Sequence, residues 1–216
     1  MNMPELEPLN RFPRMMQEYL VRRVRAIESA NADRIMALSS REEAEAYVAE
    51  RRAQMPAIFG PWPERNPLNA RTVGTVDRDG YTIERVIFDS RPDFPVTANL
   101  YLPKGADGPA PGVLISSGHS IEGKAAYYNQ HMGQLLALKG SVALAYDPIG
   151  QGERLQYPDE EGQERVGSSV REHNFIGRQQ LLVGEFFGSW RAWDGIRALD
   201  YLVSRPEVDT EHLGLT

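Results

Sequence analysis

Two loop segments of the sequence carry residue types that could do chemistry, and the first is SSGHSIEGK at residues 116–124. It follows an unbroken apolar run and places a histidine between small and hydroxyl residues. Gly118 and Gly123 allow sharp backbone turns, and free N–H groups in a loop that leads into a helix can bind an anion. The alternative is an ordinary glycine-rich turn between a strand and a helix, and the residues alone leave both interpretations open.

The second segment is YDPIGQGERLQ at residues 146–156. A dinucleotide-binding fingerprint requires a third glycine three residues after Gly152, and that position is Leu155. A nucleotide site is therefore disfavoured. Asp147 and Glu153 could act as an acid and a base, but the favoured interpretation is that they fix the loop through local hydrogen bonds.

Metal and cofactor chemistry has little support in the sequence. There is no cysteine, so thiolate nucleophiles, disulfides and cysteine-type zinc sites are excluded. None of the four histidines forms an HExxH motif or a helical pair with another ligand; they are His119, His131, His173 and His212. We expect no metal and no cofactor.

Composition narrows the possible partners. The net charge of −6 provides no basic surface for phosphates, so no nucleic-acid partner is expected. No stretch approaches the roughly 20 apolar residues of a membrane span, and residues 1–16 lack the apolar core of a signal peptide. These features predict a cytoplasmic location without membrane contact, although secretion stays open if a leader was removed.

The elements that position the two loops belong to a predicted second domain, residues 71–216, which follows an N-terminal extension, residues 1–70. Residues 12–55 of the extension read as helical, with Ser40 as an N-cap and an apolar stripe of Met16, Leu20, Val24 and Ile27. A proline-rich connector follows, anchored by burial of Phe59 and Trp62.

From Tyr81 onward the pattern predicts an α/β fold. Two alternating segments separated by RPDF predict a hairpin, whereas the continuous runs in GVLISSG, SVALAYDP and HLGLT predict strands covered on both faces. The helix over residues 124–139 should bury Tyr128, Met132, Leu135 and Leu136, and the helix over residues 190–203 should be capped by Ser189. The order of elements predicts a mostly parallel sheet with flanking helices.

Residues 154–188 form a long connection, within which residues 172–188 predict a small extra helix. This insertion lies on the ligand side of the predicted sheet. Its aromatic residues Tyr157, Phe186 and Phe187 are candidates to line a pocket. The alternative, which the pattern favours, is that they only bury the insertion.

Four segments in order resemble the first half of an α/β-hydrolase of the acetyl xylan esterase-like and cephalosporin-C deacetylase-like kind. They are ANLYLP, PGVLISSGHSIEGK, AYDPIGQGERLQ and GSWRAWDGIRALDYLVSRPEVDTEHLGLT, within residues 80–216. The resemblance implies a serine ester hydrolase that removes a small acyl group from a carbohydrate or small-molecule ester. It also implies that the turn Gly118, His119 and Ser120 supplies an oxyanion-hole N–H, from His119 or Ser120.

Members of this group continue from such a strand into Gly-x-Ser-x-Gly, the nucleophile elbow. No position of this sequence matches the family's serine, acid or histidine. We therefore expect HLGLT to pair with VLISS and its other edge to pair with the remaining half of the hydrolase domain, on the same polypeptide or a second chain. Residues 1–216 alone should be inactive. The alternatives are a serine peptidase of the prolyl-oligopeptidase type and a non-catalytic partner subunit.

Overall fold

The computed structural model describes residues 12–105 and 107–216, and the chain divides into two units that meet at Met55 and Pro56. The first eleven residues of the predicted N-terminal extension lie outside the described residues. The proposed domain boundary near residue 70 stays a prediction.

The first unit contains helix α1 (Met15–Met36) and most of helix α2 (Arg41–Phe59). Ser40 caps α2 as predicted, since its Oγ accepts from the Glu43 N–H at 3.1 Å while the Glu43 carboxylate accepts from the Ser39 N–H at 2.7 Å. The helical prediction for this unit is confirmed. The apolar stripe of α1 is exposed along its length, however, and α1 contains no buried residue.

Helix α2 continues through Pro56 to Phe59, which the predicted break at Pro56 did not anticipate. A proline inside a helix removes one backbone hydrogen bond. Phe59, at the end of this helix, makes several contacts: its ring lies 5.8 Å from Trp62 and 6.2 Å from Phe186, and its carbonyl accepts from the Ser189 hydroxyl. The connector is thus held by aromatic stacking, but the predicted anchoring by burial is wrong for Trp62, which stacks on Phe59 and Trp193 while 37% exposed.

The second unit is built on a six-stranded sheet. Its strands are β1 (Arg71–Arg78), β2 (Tyr81–Arg91), β3 (Phe94–Pro103), β4 (Ala110–Ser116), β5 (Val142–Tyr146) and β6 (Val208–Leu215). The strand order is β1-β2-β3-β5-β4-β6. The pairings on the β1 side of β5 are antiparallel, whereas β5–β4 and β4–β6 are parallel. The mixed sheet with flanking helices confirms the predicted α/β class, although two of its five pairings are parallel where a mostly parallel sheet was expected. The β2–β3 hairpin and the β4–β6 pairing confirm those two predictions. Strand β1 was not predicted, because RTVGTVDR is largely polar and exposed.

Helices cover both faces of this sheet. Helix α5 (Phe187–Val203) packs on one face, where Ala198, Tyr201 and Leu202 join the largest apolar cluster. Helix α3 (Tyr127–Leu138) packs on the other face through Ala137. All five residues of β5 are buried, as expected for a strand between two helical layers. Helix α4 (Ser169–Leu182) confirms the predicted extra helix. In the part of the chain that the structure describes, no helix is long and apolar enough to cross a membrane.

Two local predictions were wrong. Tyr128, Met132 and Leu135 are exposed, and α3 instead faces the sheet with its smaller residues Asn129, Gly133 and Ala137. The reason is the buried ring of Tyr101, which occupies the space where a side chain on Gly133 would lie. Ser189 lies inside α5, which begins after Phe186, and its hydroxyl bonds the Phe59 carbonyl instead of capping the helix.

The close approach of α3 to the sheet predicts that Gly133→Ala destabilises the protein. A Cβ there would lie 2.5 Å from a ring carbon of Tyr101, which is 1% exposed and has little room to move. We expect a loss of about 1–3 kcal/mol, because overpacking outweighs the roughly 1 kcal/mol gained in helix propensity. The measurement is the urea midpoint. Gly177→Ala on α4, where the nearest atom is 3.5 Å away, is the control and should be neutral or stabilising. Equal stability of the two variants would contradict the packing argument.

Candidate functional site

Two loops meet at the carboxyl ends of the parallel strands. One follows β4 and contains residues 117–126, and the other follows β5 and contains residues 147–156. Ligands of open α/β sheets bind at this edge. The contacts between these loops therefore decide what the edge can do.

Asp147 joins the two loops. Its carboxylate is fully buried and accepts from the Lys124 N–H at 2.8 Å and from the Thr97 hydroxyl at 2.6 Å, and it forms an ion pair with the Lys124 ammonium. The Glu153 N–H, on its own loop, donates to the same carboxylate at 3.2 Å. A buried charge is tolerated only when it is paired and hydrogen-bonded, and Asp147 meets both conditions. The predicted loop-fixing role of Asp147 is confirmed.

Glycines on both loops allow this approach. Gly123 and Gly152 have φ of +55° and +57°, which non-glycine residues rarely adopt. A Cβ on either would lie about 2 Å from Asp147 Oδ1, at 2.2 Å and 2.1 Å. Both glycines are thus required by backbone conformation and by contact with the carboxylate.

The second loop also holds the backbone of the first. Gln151 is fully buried, and its Nε2 donates to the carbonyl of Gly118 at 2.7 Å and to the carbonyl of Ser120 at 2.6 Å. The Gly152 N–H donates to the Ile121 carbonyl at 2.7 Å. Two hydrogen bonds from Gln151 therefore fix the predicted turn Gly118–Ser120, and a third bond holds the residue that follows it.

The outer side of this turn is open. Gly118 and His119 are exposed, and no atom lies within 4 Å of the position that a Cβ on Gly118 would occupy. Within the described residues, the N–H groups of His119 and Ser120 donate to no protein acceptor. The Ser120 hydroxyl donates to Glu122 at 2.5 Å. The turn thus presents unbonded backbone donors at the edge where ligands bind.

His173 of α4 lies beside the turn, a contact that the sequence did not predict. Its ring centroid is 5.1 Å from that of His119 and 5.0 Å from that of Phe187, and its Nε2 is 2.8 Å from the Ile149 carbonyl. Since a carbonyl only accepts, Nε2 carries the proton. Burial, aided by the charge of Arg191, lowers the pKa of His173 to about 4. His173 is therefore neutral at pH 7.

The three predicted pocket-lining aromatics occupy different places. Phe187 contacts His173 and through it reaches the turn. Phe186 lines a separate cavity of about 420 Å³ between the connector and the start of α5. Tyr157 packs against Phe175 at 6.0 Å. A pocket-lining role for these residues stays a prediction.

A larger cavity of about 670 Å³ lies between α5 and β6. Its walls are mainly apolar, and polar groups of Ser116, Tyr146 and Arg191 also line it. Leu213 and Leu215 of β6 are exposed here by 43% and 73%, and β6 is one of the two edge strands of the described sheet. In the described residues no group of three His, Asp or Glu side chains could hold a metal ion.

The sheet order, the two helical layers and the turn after β4 define an α/β-hydrolase-type fold. The comparisons with solved structures agree with the resemblance predicted from sequence. A "putative acetyl xylan esterase" from Bacteroides fragilis NCTC 9343 superposes with a TM-score of 0.64 at 19% identity, over 82% of this chain and 48% of that one. Methylesterase BT1017 superposes with a TM-score of 0.61 at 21% identity, over 86% of this chain and 38% of that one.

The sequence comparison points the same way. The chain is 27% identical over 176 residues to the Bacillus subtilis (strain 168) protein named "Putative hydrolase YtaP", a match that covers 77% of this chain and 54% of the relative. The chain thus spans between 38% and 54% of the length of these three proteins. The sequence matches no protein-family model.

The two carboxylates that contact Lys124 should differ sharply in their effect on stability. Asp147→Asn leaves a buried ammonium without its buried counter-charge, and we expect a loss of about 3 kcal/mol or more. Glu153→Gln removes a carboxylate that is 70% exposed and should cost less than about 1 kcal/mol. Chemical denaturation of both variants measures the difference. Equal losses would show that burial of Asp147 is not what stabilises the loops.

The neutral state of His173 predicts a pH dependence of stability. Because the pKa is about 4 in the folded protein and about 6.5 when unfolded, only the unfolded chain takes up this proton between these values. The contribution of the neutral His173 ring to the free energy of unfolding is complete above about pH 6.5 and is lost as the pH falls toward 4. His173→Gln should remove this contribution, whereas His131→Gln, at an exposed position, should keep the wild-type profile. Identical profiles for wild type and His173→Gln would contradict the assignment.

Proposed function

We propose that this chain supplies the oxyanion side of a serine ester hydrolase that removes small acyl groups, such as acetyl, from carbohydrate or small-molecule alcohols. The observation that carries the proposal is the turn Gly118–Ser120, with unbonded N–H groups at the carboxyl end of β4. The fold shared with esterases supports it. The hydrolase name of the Bacillus subtilis relative supports the broader class.

The pairing of β6 suggests where the nucleophile belongs. The Thr216 N–H donates to the Leu114 carbonyl at 3.0 Å, and the Ser116 N–H donates to the Thr216 carbonyl at 2.8 Å. The ends of β4 and β6 therefore lie side by side. A serine on a tight turn after β6 would emerge at the same edge as the turn Gly118–Ser120, called the oxyanion turn below. Acyl transfer requires this arrangement.

The exposed outer edge of β6 bears on where the catalytic serine, acid and histidine come from. The last residues of β6, Leu213–Leu215, are apolar and exposed, and an exposed edge strand is a template for pairing with another strand. We infer that the serine, the acid and the histidine come from the remaining half of the hydrolase domain, either on the same polypeptide or on a second chain. Residues 1–216 then bind and stabilise the reacting ester but do not attack it.

The proposed reaction is acyl transfer in two steps. The serine hydroxyl, deprotonated by the histidine, attacks the acyl carbonyl, and the negative charge on the carbonyl oxygen is stabilised by the N–H of the turn. The intermediate collapses, the alcohol leaves with the proton from the histidine, and water then releases the acid from the acyl-enzyme. One such donor contributes about 3 kcal/mol to the transition state.

The test uses a fluorophosphonate probe and an acetyl ester on two preparations. One preparation is residues 1–216 alone. The other contains residues 1–216 together with the proposed remaining half of the hydrolase domain, whose strand would pair with β6. We expect labelling and hydrolysis only in the second, with the labelled serine outside residues 1–216. Hydrolysis by residues 1–216 alone would contradict the division of labour. Absence of labelling in both would favour a non-catalytic partner subunit, and a strong preference for prolyl peptides over acetyl esters would favour a peptidase.

A further inference from the structure

Gln151 lies inside the loop after β5 and is one of the few large polar side chains with no exposed surface. Its Nε2 bridges two carbonyl oxygens on the neighbouring loop, those of Gly118 and Ser120. The orientation of the amide follows from these contacts, because the opposite orientation would place Oε1 against two oxygens that only accept. Gln151 therefore acts as a double donor to the oxyanion turn.

The geometry of the peptide group gives this contact a consequence. In a planar trans peptide, the C=O and the following N–H point in opposite directions. The carbonyl of Gly118 shares its peptide with the N–H of His119. Because Gln151 holds that carbonyl toward the protein interior, it turns the His119 N–H toward the open side of the turn.

Ser120 differs from His119 in this respect. The N–H of Ser120 shares its peptide with the carbonyl of His119, which accepts no hydrogen bond from the described residues. The orientation of that peptide is therefore not fixed by a partner. Of the two donors that the resemblance allows, only the His119 N–H is held in place.

The loop that carries Gln151 is itself held. Gly150 and Gly152 on either side have φ of +76° and +57°, and the Gly150 N–H donates to the Arg154 carbonyl at 2.8 Å. Asp147, locked by Lys124, lies against Gly152. The Gln151 side chain thus projects from a rigid base.

We propose that Gln151 is a positioning residue that selects the His119 N–H as the oxyanion donor. The proposal rests on the proposed esterase function. Because Gln151 has no exposed surface, it acts not on the substrate directly but by fixing one peptide plane. Preorganised donors of this kind stabilise charge that develops in the transition state and contribute little to the binding of substrate.

The first experiment measures the contact without catalysis. The ¹³C shifts of the Gly118 and Ser120 carbonyls report the two hydrogen bonds in residues 1–216. Gln151→Leu, which keeps the bulk but removes the donor, should shift both carbonyls and broaden the His119 amide signal. Gln130→Leu is the matched control, since Gln130 Nε2 donates to the Ala125 carbonyl at 2.5 Å, just beyond the turn, and is exposed. Unchanged carbonyl shifts in Gln151→Leu would overturn the proposal.

The second experiment uses the preparation that hydrolyses acetyl esters. Gln151→Leu should lower kcat about 10- to 100-fold with KM within about twofold, because a misdirected donor affects the transition state selectively. Gln130→Leu should match wild type. Gln151→Glu should be at least as impaired near neutral pH, and its activity relative to wild type should rise as the pH falls, since a protonated carboxyl regains one donor.

The outcomes separate the two proposals. A rise in KM with unchanged kcat, or equal effects of Gln151→Leu and Gln130→Leu, would overturn the positioning role while leaving the esterase intact. If the wild-type preparation hydrolyses no ester, the proposed function fails, and the carbonyl shifts then decide whether Gln151 holds the turn.

Discussion

The arrangement of the carboxyl edge depends on one buried ion pair, between Asp147 after β5 and Lys124 after β4. Each group alone would be costly to bury, so neither loop can keep its position without the other. The pair requires Gly123 and Gly152, which lie against the Asp147 carboxylate. It also fixes the loop from which Gln151 reaches the turn Gly118–Ser120. The position of the backbone N–H donors at Gly118–Ser120 thus depends on the buried charge pair of Asp147 and Lys124.

The same loop is tied to the helical layer by a second buried pair. Arg154 donates to the Asp147 carbonyl at 2.9 Å and to the Asp194 carboxylate of α5 at 2.7 Å. Asp194 is 1% exposed and lies one residue from Trp193, whose indole donates to the Ser90 carbonyl. The loop after β5 is therefore connected to both its neighbouring loop and α5, which explains how a segment with several glycines keeps a defined shape.

Much of the fold could be predicted because its signals are local. The apolar runs at β4, β5 and β6, the β2–β3 hairpin and the cap at Ser40 each depend on a few consecutive residues. Strand β1 could not be predicted, since its polar sequence is held mainly by pairing with β2. The buried face of α3 was misjudged because the deciding feature is the ring of Tyr101, which lies 32 positions before Gly133 in the sequence.

The residues of the candidate site also divide into those with a local sequence signal and those whose role depends on distant parts of the chain. Gly118, His119 and Ser120 could be proposed as site residues because a glycine-containing turn after a buried strand is a local pattern and resembles a known one. Gln151 was read only as the middle residue of a weak nucleotide motif, since its partners lie on another loop. Glu153 and Asp147 could be assigned to loop fixation, but the lysine that makes the pair possible carries no signal in its own segment. His173 had no assigned role because its neighbours come from three different elements.

The protonation state of His173 has a consequence for the electric field at the turn. The His173 ring centroid lies 5.1 Å from that of His119, so an imidazolium there would attract any ligand oxygen at the turn and compete with the directed dipoles of the peptide N–H groups. Because the buried ring is uncharged at ordinary pH, His173 adds no such competing pull. An oxygen atom of a ligand at the turn would therefore meet the peptide N–H dipoles without an added positive charge from His173.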